Sequence, residues 1–474
     1  MYLCSMSTGL VSQDTIVALA TSPGVNGAIA VIRLSGSQAI RITNAVFKGK
    51  DLLNQDSHTI HFGTVRDGEE IIDEVLISLF KGPHSYTKED VVEISTHNSK
   101  YIIERLMTLL IKKGARAAQA GEFTLRAFLN GGMDLSQAEA VADLIASENK
   151  ASHEIAMNQM RGGISNKLQE MREQLINFTA LLELELDFGE EDVEFADRTQ
   201  FVALVQELRA HIDKLIYSFA YGNAIKQGVP VAIIGKPNAG KSTLLNTLLD
   251  EERAIVSDIA GTTRDTIEES INLDGITFRF IDTAGLRETA DTIEAIGVTK
   301  AKEKVQQAKV LLYLYDDKDS TANEVIAHVK ELHYPSLIVI LVRNKIDLQG
   351  GYHPNEMDSH IKKALFDEYS DSLVAISAKD SDSVEGLKSL LLEKIREMAV
   401  EDQQIITNTR HVEALEQALA DLEQVEQGFD VQLPGDLLAH HVRAALRHIS
   451  SITGDIDVDR DILGTIFGKF CIGK

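Results

Sequence analysis

Gly235-Lys236-Pro237-Asn238-Ala239-Gly240-Lys241-Ser242 follows the apolar run Val231–Ile234 and precedes a helical pattern, and its reading decides the fold. It matches G-x-x-x-x-G-K-[ST] in the strand-to-helix context that motif requires. The glycines let the backbone wrap phosphates, while successive amides and the following helix N-terminus bind anionic oxygens. Lys241 is placed to reach the β and γ phosphates and Ser242 to ligate magnesium, with Asn238, Ala239, Gly240 and Thr243 completing the phosphate-contacting stretch. Outward from it, the apolar runs Ile276–Ile281, Val310–Tyr315, Leu337–Val342 and Leu373–Ile376 alternate with amphipathic helical patterns. That alternation predicts a mainly parallel sheet covered by helices over residues 227–398.

Later strands end in further nucleotide-type segments, at the edge where an open α/β sheet places its ligand. Asp282-Thr283-Ala284-Gly285 leaves one strand, so Asp282 can stand in the magnesium shell and Gly285 can bring an amide to the γ-phosphate. Asn344-Lys345-Ile346-Asp347 leaves another. A carboxylate there can accept both hydrogen bonds from the N1 and N2 edge of guanine, and adenine has no such donors. A buried carboxylate left unpaired is costly, so Asp347 is expected to select GTP over ATP. Ser377-Ala378-Lys379, ending the last strand, fits a base-contacting loop. These residues resemble the translation-factor-like GTPases, whose switch I threonine would be Thr263 in Gly261-Thr262-Thr263-Arg264-Asp265. The resemblance implies that Ser257, Asp258, Ile259, Ala260, Gly261 and Thr262 contact the nucleotide beside it, and that Thr263 joins Ser242 on magnesium. Ras-like proteins carry a water-orienting Gln after D-x-x-G. Here that position is Leu286, which has no polar atom to do so, and another group must replace it.

The rest of the chain bounds this domain. With 474 residues, about three domains are expected. From Asp14 to Arg126 the strand-like runs Thr15–Thr21, Ala28–Leu34, Thr59–Val65, Ile71–Phe80 and Val91–Thr96 are separated by turn residues and interrupted by one helix, Lys100–Lys113, which predicts an α+β domain over 1–132. Ile164, Leu168, Met171, Leu175, Phe178 and Leu182 then follow one helical face, up to Gly189. The same spacing recurs at Val205, Leu208, Ile212, Leu215 and Phe219, and again at Leu415, Leu419 and Leu422 with Leu438, Val442 and Ile449. Such stripes are core packing, and they predict one helical bundle built from 133–226 and 399–474, with the nucleotide-binding domain inserted.

Charge and cysteine usage exclude several classes. The formal charge of -25 opposes non-specific binding to a phosphate backbone, so nucleic acid contact must be local or supplied by a partner. Cys4 and Cys471 lie near opposite ends, which gives no spacing for a disulfide scaffold or zinc site and fits a reducing cytoplasm. No window approaches the ~18 uninterrupted apolar residues of a membrane helix.

A narrower resemblance comes from the flanks. Gly82-Pro83-His84-Ser85-Tyr86-Thr87 with Glu89-Asp90, Gly121-Glu122-Phe123 through Arg126-Ala127-Phe128-Leu129-Asn130, Asp134-Leu135 with Gln137-Ala138-Glu139-Ala140, and the final Cys471-Ile472-Gly473-Lys474 resemble the signatures of the MnmE (TrmE) family of tRNA-modification GTPases. The resemblance implies an N-terminal domain similar to folate-binding one-carbon enzymes, which forms a homodimer. It implies that a 5-formyl- or 5,10-methylene-tetrahydrofolate is bound at Arg33, Glu93, Gly132 and Lys474. It implies potassium at Asn238, Ser257, Ile259 and Thr262, a water-activating Glu294, an Arg287 that helps order switch II, and a reactive Cys471 within a one-carbon transfer site. Read from the residues alone, Asn238 is equally a turn former after Pro, Glu294 a solvated helix-start charge, and Arg33 and Glu93 surface charges on a strand. Where family members carry a basic residue before Met133-Asp134-Leu135 this chain has Gly132, and where they carry His-Gly-Gly it has His97-Asn98-Ser99. The activity implied is a potassium-stimulated GTP hydrolase. With an FAD-dependent GidA (MnmG)-type partner, as a heterotetramer, it would add a carboxymethylaminomethyl or aminomethyl group to C5 of the wobble uridine of certain tRNAs. The alternative is a switch GTPase of ribosome assembly that performs no modification chemistry.

Overall fold

Buried and exposed side chains alternate along Glu70–Phe80, so one face of this strand meets a core and the other does not. In the computed structural model it lies inside a sheet built from β1 (Ile16–Leu19), β2 (Ile29–Ser35), β3 (Phe47–Lys48), β4 (Thr59–Asp67), β5 (Glu70–Phe80), β6 (Val91–His97) and β7 (Arg116–Ala117). The structure describes residues 14–21, 27–187, 198–252, 269–281, 302, 305–349, 353, 355–366, 368–370, 372–398, 404–431 and 433–454. The strands run in the order β3-β4-β5-β6-β2-β1-β7, antiparallel except for the parallel β1–β7 pair. Helices α1 (Ala39–Asn44) and α2 (Lys100–Lys112) bury Ile40, Ile42, Leu106 and Leu110 against Ile32, Leu34, Ile77 and Ile94 of the strands. A third helix, α3 (Glu122–Leu129), follows β7. The expectation of one helix in this region is therefore corrected. α1 escapes a periodicity reading because Ile40 and Ile42 alternate as in a strand, and α3 because it spans only eight residues.

The chain continues through α4 (Leu135–Ala146), α5 (Lys150–Met160), α6 (Gly163–Asp187) and α7 (Arg198–Gln227). It then enters a second sheet of β8 (Val229–Gly235), β9 (Glu269–Leu273), β10 (Ile276–Phe280), β11 (Val310–Tyr315), β12 (Ile338–Arg343) and β13 (Ser372–Ala375). The order is β13-β12-β11-β8-β10-β9, and every pair is parallel except β9–β10. β9 was not foreseen. Asp274 and Gly275 join it to β10 with φ of 46° and 82°, the two left-handed residues of a primed hairpin turn. Between strands lie α8 (Lys241–Glu252), α9 (Ala322–Leu332), α10 (Glu356–Leu365) and α11 (Ser381–Arg396). The central strands are apolar throughout, as a sheet covered on both faces demands: all six residues of β11 are buried.

After α11 the chain returns to α7, where the Ile406 amide donates to Ser218 Oγ at 3.1 Å. It then forms α12 (Thr409–Asp430) and α13 (Gly435–Thr453). The predicted stripe of α6 is buried at Ile164, Leu168, Met171, Leu175 and Phe178, and α13 contributes Leu438, Val442 and Ile449. Arg172 Nε, on α6, donates to Ser450 Oγ on α13 at 3.2 Å. Each such fully buried Leu or Ile stabilises by about 1.5–3 kcal/mol. Two stripe positions differ: Phe219 and Leu419 are half-buried. Leu182 and Gly189 fall outside the described side chains. By contacts the chain divides into two compact units, one of 1–145, 159–202 and 420–474, the other of 146–158 and 203–419.

Candidate functional site

β8 ends at Gly235 in the centre of its sheet, between β10 and β11, where the strand order reverses and open α/β sheets take their ligands. The loop from there to α8 holds Asn238 at φ 63° and Gly240 at φ 100°. A Cβ on Gly240 would stand 2.1 Å from Asn344 Nδ2, so only glycine fits. Lys241 folds back over the loop, its Nζ donating to the Gly235 carbonyl at 2.8 Å and the Lys236 carbonyl at 2.9 Å. The ammonium is thus held above a ring of backbone, where a phosphate oxygen would replace neutral acceptors with a charged one.

Asn344, 2% exposed, joins segments far apart in sequence. Its Nδ2 donates to the Ala239 carbonyl at 2.7 Å, and its Oδ1 accepts from the Ala378 amide at 2.9 Å and the Lys345 amide at 2.8 Å. One buried amide therefore fixes the phosphate loop, the Asn344–Asp347 segment and the Ser377–Lys379 loop to each other. Thr247 of α8 adds a bond to the Ala378 carbonyl at 2.6 Å. Lys345 takes φ 67° and its Nζ lies 2.6 Å from Asp316 Oδ2. Asp347 accepts from Ser377 Oγ at 3.0 Å. The expected burial of Asp347 is corrected: it is exposed, on the short helical turn Ile346–Gln349. A desolvation cost would arise only with a base lying on it, and a base edge with two donors would offset that cost.

Beneath this edge lies a buried charge cluster to which the sequence reading assigned nothing. Arg343, the last residue of β12 and fully buried, pairs with Asp358 and donates from Nη2 to the His353 carbonyl at 2.9 Å. Tyr315 donates to Asp358 Oδ1 at 3.1 Å, and burial, then the Asp358 carboxylate, push its phenol up. Lys236 of the phosphate loop bonds Glu324 at 2.8 Å and, with the amide and hydroxyl of Thr321, draws its carboxyl down to about 2.

Of the N-terminal candidates, the structure brings Arg33 and Glu93 together. Arg33 and Glu93 face each other in the β2–β6 register, with Nε 2.9 Å and Nη2 2.7 Å from Oε1. The guanidinium carbon lies 5.5 Å from the Tyr86 ring centroid and 5.8 Å from that of Phe123. Tyr86 is fixed in turn by a 2.9 Å hydrogen bond between its hydroxyl and Thr124 Oγ1. Gly132 donates its amide to the Ala127 carbonyl at 2.7 Å, and the Lys88 stem lies against it. His97, in the segment that departs from the family pattern, holds Asp73 through Nδ1 at 2.8 Å. Behind Tyr86, Arg126 is 2% exposed and pairs with Asp14, Glu89 and Glu122. Arg116 binds Asp14 and Glu122 from the other side.

Residues 15–132 match the family model described as the GTP-binding protein TrmE N-terminus, and residues 135–471 match that of the MnmE helical domain. The chain belongs to the MnmE (TrmE) family. A tRNA modification GTPase MnmE from Cytophaga hutchinsonii is 53% identical over 474 residues, covering 99% of this chain and 100% of its own. One from Flavobacterium johnsoniae is 52% identical over 473 residues, covering 98% and 100%. One from Bacteroides thetaiotaomicron is 50% identical over 471 residues, with the same coverage. Membership of this GTPase family agrees with a P-loop domain set between helical segments and preceded by an α+β domain.

Of the residues the family resemblance and the motifs single out, the structure brings Asn238, Ala239, Gly240, Lys241, Ser242 and Thr243 together with Asn344, Lys345, Asp347, Ser377, Ala378 and Lys379 at one end of one sheet. Ser257 through Thr263, Asp282 through Gly285, Leu286, Arg287, Glu294, Cys471 and Lys474 lie outside the described residues. Asn238 and Ser242 are exposed and offer oxygen donors, the ligand type that magnesium and potassium take. Among the described residues no helix is long and apolar enough to cross a membrane.

Proposed function

We propose that the chain is a potassium-stimulated GTPase which, with an FAD-dependent GidA (MnmG)-type partner in a heterotetramer, adds a carboxymethylaminomethyl or aminomethyl group to C5 of the wobble uridine, position 34, of certain tRNAs, using a tetrahydrofolate one-carbon unit. The observation that carries the nucleotide half is Asp347, exposed at the sheet edge and bonded to Ser377 at 3.0 Å, two residues beyond the left-handed Lys345. Its two carboxylate oxygens match the two donors of a guanine edge. In this reading Lys241 binds the β and γ phosphates, Gly285 brings an amide to the γ-phosphate and Glu294 takes the proton of the attacking water in place of the Gln that Leu286 lacks. Magnesium at Ser242 and Thr263, with Asp282 in its shell, and potassium at Asn238, Ser257, Ile259 and Thr262 would supply positive charge where negative charge develops.

Arg33, Glu93, Gly132 and Lys474 hold the folate, with Cys471 in the one-carbon transfer site. Support comes from Arg33, whose guanidinium pairs with Glu93 and lies near two aromatic rings, groups that can take a carboxylate and a flat ring. A homodimer through the N-terminal domain is part of the proposal. Ile60, Phe62 and Leu76 are well exposed on one face of that sheet, and Phe62 and Leu76 are direct register partners. The net charge of -25 supports a partner that provides most of the basic tRNA surface. The division into 1–132, 133–226, 227–398 and 399–474 and a cytoplasmic location complete the reading.

Single-turnover GTP hydrolysis in potassium and in sodium at equal ionic strength, with wild type and Glu294→Ala, tests the mechanism. Potassium-selective acceleration that the variant loses is expected. Equal rates in the two salts, or a fully active variant, would remove the potassium and general-base assignments.

A further inference from the structure

We infer that Asp316 is a positioning residue for the guanine base: it anchors Lys345, and the turn it heads links that lysine to Lys236 of the phosphate loop. The inference rests on the proposed GTP site and adds a residue that touches neither base nor phosphate.

Asp316 follows the last residue of β11 and is 3% exposed. Its Oδ2 accepts from Lys345 Nζ at 2.6 Å, and its Oδ1 accepts from the amides of Lys318 at 3.0 Å and Asp319 at 2.8 Å. Both oxygens are thereby used, one on the side chain of the base segment and one on the backbone of its own turn. The far end of that turn reaches the phosphate loop, because the Asp319 carbonyl accepts from Lys236 Nζ at 2.8 Å. The Asp319 carboxylate stands 3.8 Å from Lys345 Nζ. Residues 316–319 are therefore held between two lysines, one on each half of the nucleotide site.

Lys345 needs the anchor. Its φ of 67° is a conformation that costs an L-residue about 1–2 kcal/mol, and its stem has four rotatable carbons. With the ammonium fixed to a buried carboxylate, the stem is pre-ordered beside Asp347 and presents one apolar wall to a flat ring. Burial by itself would raise the Asp316 carboxyl, but the Lys345 bond and the turn amides outweigh it and hold it below the usual carboxylate range, so the anchor is charged at neutral pH.

The test is displacement of a fluorescent GDP from the full chain by GDP, ADP and inorganic tripolyphosphate, using wild type, Asp316→Asn, Lys345→Met and the double variant. Asp316→Asn and Lys345→Met should each weaken GDP about tenfold and leave tripolyphosphate within about twofold, and the double variant should bind GDP no more weakly than the worse single one, because the two changes remove one interaction. GDP affinity unchanged in Asp316→Asn, tripolyphosphate weakened as much as GDP, or losses that multiply in the double variant would each overturn the inference. Should Asp316→Asn fail to fold, Asp316→Glu keeps the charge and displaces it by one methylene; a loss confined to GDP supports the inference, and no loss or a loss shared with tripolyphosphate overturns it. A wild type with no preference for GDP over ADP would instead refute the underlying guanine reading. A guanine-selective wild type with an indifferent Asp316→Asn refutes the inference alone.

Discussion

The two candidate sites are built by different means. At the end of the β8 sheet, Asn344 spends its whole side chain on backbone groups of three segments, and Asp347 is left facing outward. On the N-terminal sheet, Arg33 and Glu93 are spent on each other. The first arrangement is preorganised: a nucleotide finds acceptors and donors already fixed and displaces little. The second would be an exchange: a folate bound as proposed would have its carboxylate compete with Glu93 for the guanidinium and its amidine-like edge compete with Arg33 for the carboxylate. On the proposed reading, selectivity at the first site would come from an exposed carboxylate bonded only to the Ser377 hydroxyl among the described residues, and at the second from a pair that must open.

The strongest way to break the contrast is to remove the support of one site and read the other. Arg126→Met leaves Asp14, Glu89 and Glu122 without the buried cation they share, and the N-terminal domain should lose about 3–5 kcal/mol in chemical denaturation followed by a probe in that domain, with GDP affinity unchanged. Asp347→Asn should weaken GDP about a hundredfold in equilibrium titration and improve binding of the xanthine analogue, whose C2 carbonyl can accept from the new amide. A fall in GDP affinity without that gain would point to a structural defect. Arg33→Lys keeps the charge and loses the fork and the aromatic stacking, so a reduced folate should bind about tenfold more weakly by dialysis, while the melting curve moves by less than about 1 kcal/mol, since the pair is partly solvated. The smallest effect is with pH. Glu324, drawn down to about 2 by Lys236 and Thr321, contributes stability that is present above its ordinary value of 4.5 and is lost as pH falls toward about 2. A shallow acid limb that shrinks in Lys236→Met, where the Thr321 bonds to Glu324 remain, is the expected thermal-melt signature.

Much of the nucleotide domain was legible because its motifs are contiguous. Gly235–Ser242 and Asn344–Asp347 each follow an apolar run, and local spacing dictates what the backbone there can do. The unseen parts depend on pairings that spacing does not carry. No motif marks Asp316-Asp317-Lys318-Asp319, and only the parallel pairing of β11 and β12, with Tyr315 beside Arg343, brings Asp316 to Lys345. Arg126 was noticed as part of a signature, but its three carboxylate partners come from positions 14, 89 and 122. β9 was missed although Asp274-Gly275 carries its turn signal, because Glu269, Ser270 and Asn272 dilute the apolar run. Register likewise makes Arg33 and Glu93 a pair, where the residues alone read as surface charges on a strand.

The bond from the Ile406 amide to Ser218 Oγ, with Gly222 so close that a Cβ there would stand 2.2 Å from the Ile406 carbonyl, means that the polypeptide leaves and re-enters the helical framework at one doorway. Everything between is a closed loop in the polymer sense, so the whole G segment could be exchanged for a short linker at a modest closure entropy, about 0.6 kcal/mol per doubling of length.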